Sequence, residues 1–135
     1  MVKVRKPVFV IQEHKATHLH YDFRLEMDGV LKSWAIPKEP SVDPKVKRLA
    51  VQVDDHKLGY ENFEGVIPEG MYGAGPVKIW DKGSYELKEK TGDKIVFNLN
   101  GKRLKGGFNL VRFKKAGPNS WLFFKTSEKD RLNRA

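Results

Sequence analysis

The sequence predicts an all-β fold: a small antiparallel β-barrel with long loops and at most short helical turns. Three observations lead there. From His18 to Met27 polar and apolar residues alternate strictly, the period of a strand with two different faces. Short runs of this kind recur along the chain, separated by Gly, Pro, Asn and Asp. No amphipathic stretch is long enough for a helix of several turns. A barrel is preferred to a sandwich because closure removes exposed edges and leaves an interior or mouth for a site.

Taken in order, Val8–Ile11 is a short apolar strand and Glu13–Thr17 a loop. The strand 18–27 ends at Asp28-Gly29, a two-residue hairpin turn, and Val30–Ile36 returns as its partner. Pro37–Lys47 carries three prolines and reads as loop, with one helical turn after Asp43-Pro44. Arg48–Asp54 alternates with Leu49, Val51 and Val53 on its apolar side. Residues 55–76 hold five glycines and two prolines and read as an extended surface loop. Gly70, Gly73 and Gly75 in it are tight-turn residues, since no helix pattern follows to complete a phosphate cradle. Val77–Trp80, Ser84–Glu89, Lys94–Leu99, Gly107–Lys114 and Trp121–Lys125 are further strands. Their turns fall at Asp81–Gly83, Thr91–Asp93, Asn100–Lys102 and Ala116–Ser120. Trp34, Trp80 and Trp121 are expected in the core or lining the barrel.

At 135 residues the chain is one domain, 1–135, with enough length for its own core. It contains no apolar run of membrane-spanning length and no signal-peptide pattern. The absence of cysteine excludes disulfides and thiolate metal sites and suits a reducing cytoplasm. A net charge of +9, spread along the chain, implies a polyanionic partner, with nucleic acid the foremost candidate.

The polar side of 18–27 carries chemistry in place of ordinary solvated residues. His18, His20, Asp22, Arg24 and Glu26 follow one another about 6.5–7 Å apart on one face. His20 and Asp22 project together, and His14 from the preceding loop can fold over them. Two imidazoles and a carboxylate leave open positions on an octahedral ion such as Mn²⁺, and Zn²⁺ or another divalent transition metal takes the same donors. Arg24 is placed to grip a phosphate beside that metal. His56, after Asp54-Asp55 at a strand end, is a candidate to bind phosphate or protonate a leaving oxygen. His18 is a rim residue.

FVIQEHKATHLHYDFRLEMDGVLKSWAIPKEPS at 9–41, RLAVQVDDHKLGYENFEGVIPEGMYGAGPVKIWDKG at 48–83 and WLFFKTSEKD at 121–130 closely resemble the 3′-phosphoesterase domain of bacterial DNA ligase D and its free-standing homologues. The resemblance implies a small β-barrel enzyme that uses manganese to heal 3′ ends of DNA or RNA. Such an enzyme removes a 3′-terminal ribonucleoside from a primer–template to leave a 3′-phosphate, then hydrolyses that phosphate to a 3′-hydroxyl. It further implies metal ligands at His14, His20 and Asp22 and phosphate contacts at Arg24 and His56. Arg48 and Tyr60 match further active-site positions, Gln12 and Asp54 supporting ones, with Asp54 standing where Glu is expected. A separate ligase or polymerase is the implied co-worker.

Two rival readings remain at this point. His20-x-Asp22 with distal His56 resembles the facial triad of a non-haem iron oxygenase, although no Arg lies between Arg48 and Arg103 to hold a co-substrate carboxylate. A catalytically silent nucleic-acid-binding barrel explains the charge but not the clustering of His14, His20, Asp22 and Arg24.

Overall fold

The structure, a computed structural model, describes residues 5–128, so both ends of the expected 1–135 domain lie outside the described residues. The strands are β1 (Val8–Lys15), β2 (Leu19–Met27), β3 (Val30–Ile36), β4 (Arg48–His56), β5 (Gly65–Ile67), β6 (Gly75–Lys90), β7 (Lys94–Asn100), β8 (Lys105–Arg112) and β9 (Ser120–Lys125). Every pairing is antiparallel, in the order β1-β2-β3-β4-β9-β8-β7-β6-β5, and β1 also pairs with β6. That last pairing closes the sheet into the expected barrel, with β5 added beside the start of β6. Among the described residues, the helical elements before Glu128 are single 3-10 turns at Tyr60–Asn62 and Lys114–Ala116. None of the described helices is long and apolar enough to cross a membrane.

The closed interior is filled by side chains. Phe9, Ile11, Phe23, Leu25, Trp34, Ile36, Phe97, Leu99, Phe108, Leu110, Trp121 and Phe123 form one buried cluster, with Trp80 packed against its edge. The Phe23 and Phe123 rings approach to 4.8 Å, and Phe108 stacks on Phe123 at 5.3 Å. Burial of this aromatic layer favours folding by roughly 25 cal/mol per Å² of apolar surface. A packed interior has no room for a site, so of the expected interior or mouth the interior is excluded.

Several element expectations change for physical reasons. β1 runs on to Lys15, so His14 stands on a strand opposite His20 and is not carried by a loop. The expected turn at Asp81–Gly83 does not exist: β6 passes straight through it. Asp81 looks like a turn residue because it serves a different turn. Its buried carboxylate accepts the backbone N–H groups of Lys102, Arg103 and Leu104, as well as that of Lys82. After Asp43-Pro44 there is a turn, closed by Val46 N–H donating to the Asp43 carbonyl, and no helix. On β4 the inward residue is Ala50, whereas Val53 is exposed, so the apolar side proposed for that strand faces outward. Leu19, expected at the core, is exposed at the strand's entrance. The hairpin at Asp28-Gly29 is as expected, with φ of 55° and 79°, the left-handed pair that a tight primed turn requires.

Candidate active site

Because strand side chains alternate, the residues between the core positions of β1 and β2 point away from the interior. Phe9 and Ile11 face in, so Val10, Gln12 and His14 face out; Phe23 and Leu25 face in, so Asp22 and Arg24 face out. Yet Val10, Gln12, Asp22 and Arg24 are all buried. The cover is the segment between β4 and β5, tied down where Gln12 Nε2 donates to the carbonyls of Tyr60 (2.8 Å) and Phe63 (3.2 Å). The polar cluster therefore sits on the outer wall, beneath a loop.

The register pairs His14 with His20 and Gln12 with Asp22. Asp22 Oδ2 lies 3.6 Å from His14 Nδ1, 3.2 Å from His20 Nε2 and 3.5 Å from Arg24 Nη2. Ligand atoms of His14, His20 and Asp22 all fall within 4.8 Å of one another. Both imidazoles are oriented by backbone carbonyls, which can only accept. His14 Nε2–H donates to Gly73 O at 2.6 Å, and His20 Nδ1–H to His18 O at 3.1 Å. Held this way, each ring turns its other nitrogen to Asp22, from where it can present a lone pair to a cation. Two preset imidazole lone pairs converging on one carboxylate fit a divalent cation, and carbonyl-anchored histidines are the usual support of such sites. The set suits Mn²⁺ or Zn²⁺ without choosing between them.

Arg24 is held on three sides. Its Nε donates to Gln12 Oε1 (2.7 Å), and its Nη1 to Ser33 Oγ (2.9 Å) and His56 Nδ1 (3.1 Å). Its guanidinium also lies 5.0 Å from the Tyr60 ring centre. Nη2, on the Asp22 side, is the edge left for an incoming anion. His56 reaches this point through a bulge. Between Ser33 and Leu31 of β3, β4 spends one extra residue, pairing Val53 and then His56. The bulge turns His56 to the outward side, which plain alternation would deny it.

The charges support one another. Burial works against the Asp22 carboxylate, but His20, Arg24 and His14 outweigh it and hold its pKa below the ordinary value. The hydrogen bond to Asp22 raises the His20 pKa against the pull of burial. Burial, followed by the Arg24 charge, lowers that of His56, leaving the ring neutral at pH 7 with its Nδ1 accepting from Arg24. Burial lowers the Arg24 pKa, opposed by Asp22 and Tyr60. Beyond His56 opens a cavity of about 650 Å³ lined by Asp55, His56, Lys57, Gly59, Tyr60, Asn62 and Phe63.

Of the residues singled out from the sequence, His14, His20, Asp22, Arg24, His56, Tyr60 and Gln12 meet here. The Asp54 side chain is exposed, and its carbonyl lies 3.3 Å from His56 Nδ1. Arg48 stands apart on β4, its Nε donating to the Glu39 carbonyl. The oxygenase triad is not assembled, because His14, and not His56, joins His20 and Asp22. Sequence reasoning missed Ser33 and Gly73. Ser33 breaks the apolar run of β3 on its outward side, a readable cue. Gly73, at φ +74°, has a Cβ position 3.3 Å from the His14 ring, which only the folded loop reveals.

Fold and site define a closed β-barrel whose outer wall carries a His₂Asp set that could hold a cation, beside a buried arginine. The chain belongs to the family described as the DNA Ligase D 3′-phosphoesterase domain, which it matches over residues 12–112. It is 48% identical over 126 residues to the multifunctional non-homologous end joining protein LigD of Pseudomonas aeruginosa, covering 89% of this chain and 15% of that protein. Proteins of that name match at 50% identity over 108 residues in Mycobacterium bovis (77% of this chain, 14% of the relative) and at 44% over 125 residues in Mycolicibacterium smegmatis (84% and 16%). The chain thus spans about one-seventh of the length of these relatives.

Proposed function

We propose that the protein is a metal-dependent DNA-repair phosphoesterase that heals 3′ ends of DNA or RNA in a reducing cytoplasm. The convergence of two carbonyl-oriented imidazoles on Asp22, with Nη2 of Arg24 3.5 Å from the same carboxylate oxygen, carries this reading. His14, His20 and Asp22 would hold Mn²⁺, which supplies positive charge against the negative charge that builds on phosphoryl oxygens. Arg24 grips a non-bridging phosphate oxygen through Nη2 while Gln12, Ser33 and His56 fix its plane. Neutral His56, with Nδ1 engaged by Arg24, carries its proton on Nε2 and offers it to phosphate or to a departing oxygen. Arg48, which lies away from Arg24, takes part through the nucleic-acid strand, and Asp54 through its backbone carbonyl, 3.3 Å from His56 Nδ1.

Two hydrolyses follow in this scheme. Water adds to phosphorus and the bond to the 5′-oxygen of the terminal ribonucleoside breaks, leaving a 3′-phosphate. A second water displaces the 3′-oxygen, which leaves protonated as a 3′-hydroxyl, and inorganic phosphate is released. The net charge of +9 holds the strand by its backbone, with slight sequence preference. A ligase or polymerase would use the healed end. The test is a labelled primer–template with a single 3′-terminal ribonucleotide, incubated with Mn²⁺. Passage through a 3′-phosphate to a 3′-hydroxyl supports the reading. An unchanged primer, including one that starts with a 3′-phosphate, would leave the silent binding barrel as the better account.

A further inference from the structure

Tyr72 is fully exposed, and it is the only Phe, Trp or Tyr among the described residues that stands open to solvent. No described ring or cation contact involves it. Tyr60, the other tyrosine near the cluster, is fully engaged: Phe63 stacks on it at 5.2 Å, His56 lies at 4.7 Å and Arg24 at 5.0 Å. A single exposed ring is ordinary on a protein surface, so its meaning depends on where the backbone carries it.

That backbone is fixed. Met71 N–H donates to the Pro68 carbonyl and Ala74 N–H to the Met71 carbonyl, closing two successive turns, the second of which contains Tyr72. Gly73 gives its carbonyl to His14 Nε2. Gly75 packs so tightly that a Cβ there would lie 2.1 Å from the Lys15 carbonyl oxygen. Tyr72 is thus the chain neighbour of Gly73, whose carbonyl orients a candidate metal ligand.

We propose that Tyr72 forms a nucleobase subsite, its ring stacking on the base of the 3′-terminal ribonucleoside to be removed. The inference rests on the 3′-phosphoesterase reading and extends it to the leaving group. Stacking on a phenol ring accepts every base, in keeping with a protein that holds nucleic acid by its backbone. It also separates the two hydrolyses. The base is present when the ribonucleoside is removed and gone when the 3′-phosphate is hydrolysed, so Tyr72 serves the first step alone.

In Tyr72→Ala, KM for ribonucleoside removal should rise about tenfold, the worth of one base stack, with kcat nearly unchanged. Tyr72→Phe and Tyr72→Trp should restore it. Hydrolysis of a 3′-phosphate end, and removal of an abasic terminal ribose, should be the same in Tyr72→Ala and the parent protein. Independently, with metal chelated, a 2-aminopurine at the 3′-terminal position should be quenched on binding the parent protein and Tyr72→Phe but not Tyr72→Ala. Unchanged KM and fluorescence in Tyr72→Ala, or equal losses on both steps and on the abasic substrate, would overturn the subsite. If the parent quenches the probe through Tyr72 yet removes no ribonucleoside, the subsite stands and the phosphoesterase reading fails.

Discussion

Asp22 is the residue on which the site turns, since His14, His20 and Arg24 all address its one oxygen. Asp22→Ala and His20→Ala should each lower phosphoesterase activity by about a thousandfold or more while leaving far-ultraviolet circular dichroism unchanged, because neither side chain belongs to the interior cluster. Gln12 acts differently. It joins Arg24 to the covering loop, so Gln12→Leu should cost about 2 kcal/mol in urea unfolding and reduce activity about ten- to a hundredfold. Mn²⁺ affinity measured by calorimetry should barely change, since no ligand is touched. At this scale His20, Asp22 and Arg24 were legible from alternation alone, because a period of two puts them on one face. His56 was legible only as a residue type. Its approach to Arg24 depends on a bulge in β4, and nothing in Asp54-Asp55-His56 announces which residue will go unpaired.

At the scale of the elements, Asp81 and Tyr85 show how β6 is held. Asp81 accepts four backbone N–H groups, three of them from the turn after β7. Asp81→Ala should therefore cost about 3 kcal/mol, and Asp81→Asn clearly less because one oxygen still accepts; denaturant midpoints decide this. Tyr85 Oη donates to the Glu26 carbonyl at 2.6 Å, and burial, followed by the nearby Glu26 and Asp28 carboxylates, pushes its pKa up to about 12. A phenol that holds its proton more tightly folded than unfolded stabilises the fold fully below pH about 10, its unfolded value. That contribution, about 2 kcal/mol, is lost as pH rises through the folded value near 12. Unfolding midpoints from pH 9 to 12 should fall more steeply in the parent than in Tyr85→Phe. Most strands could be read from the chain because their apolar runs and turn residues agree. β6 could not, because an aspartate that caps a distant turn is indistinguishable in sequence from one that makes a turn itself.

For the whole molecule, the class of fold and the side of the strand that carries the polar cluster were legible, and the roof over that cluster was not. Regular short strands without an amphipathic helix imply a closed antiparallel sheet, and the β1–β6 pairing closes it. Position relative to the wall depends on which alternate face fills the interior, and the large aromatics take that place here. The polar face is left outside, to be roofed by the segment after β4. Net charge acts at this scale too. Affinity for a primer–template should fall at least tenfold between 50 and 200 mM salt, read by anisotropy, whereas neutral-site binding would show little change. The most direct test of the central claim is anomalous diffraction at the manganese edge from crystals soaked in Mn²⁺. A single strong peak bounded by His14 Nδ1, His20 Nε2 and an Asp22 oxygen is predicted. A peak elsewhere, with those three side chains unligated, would contradict the account.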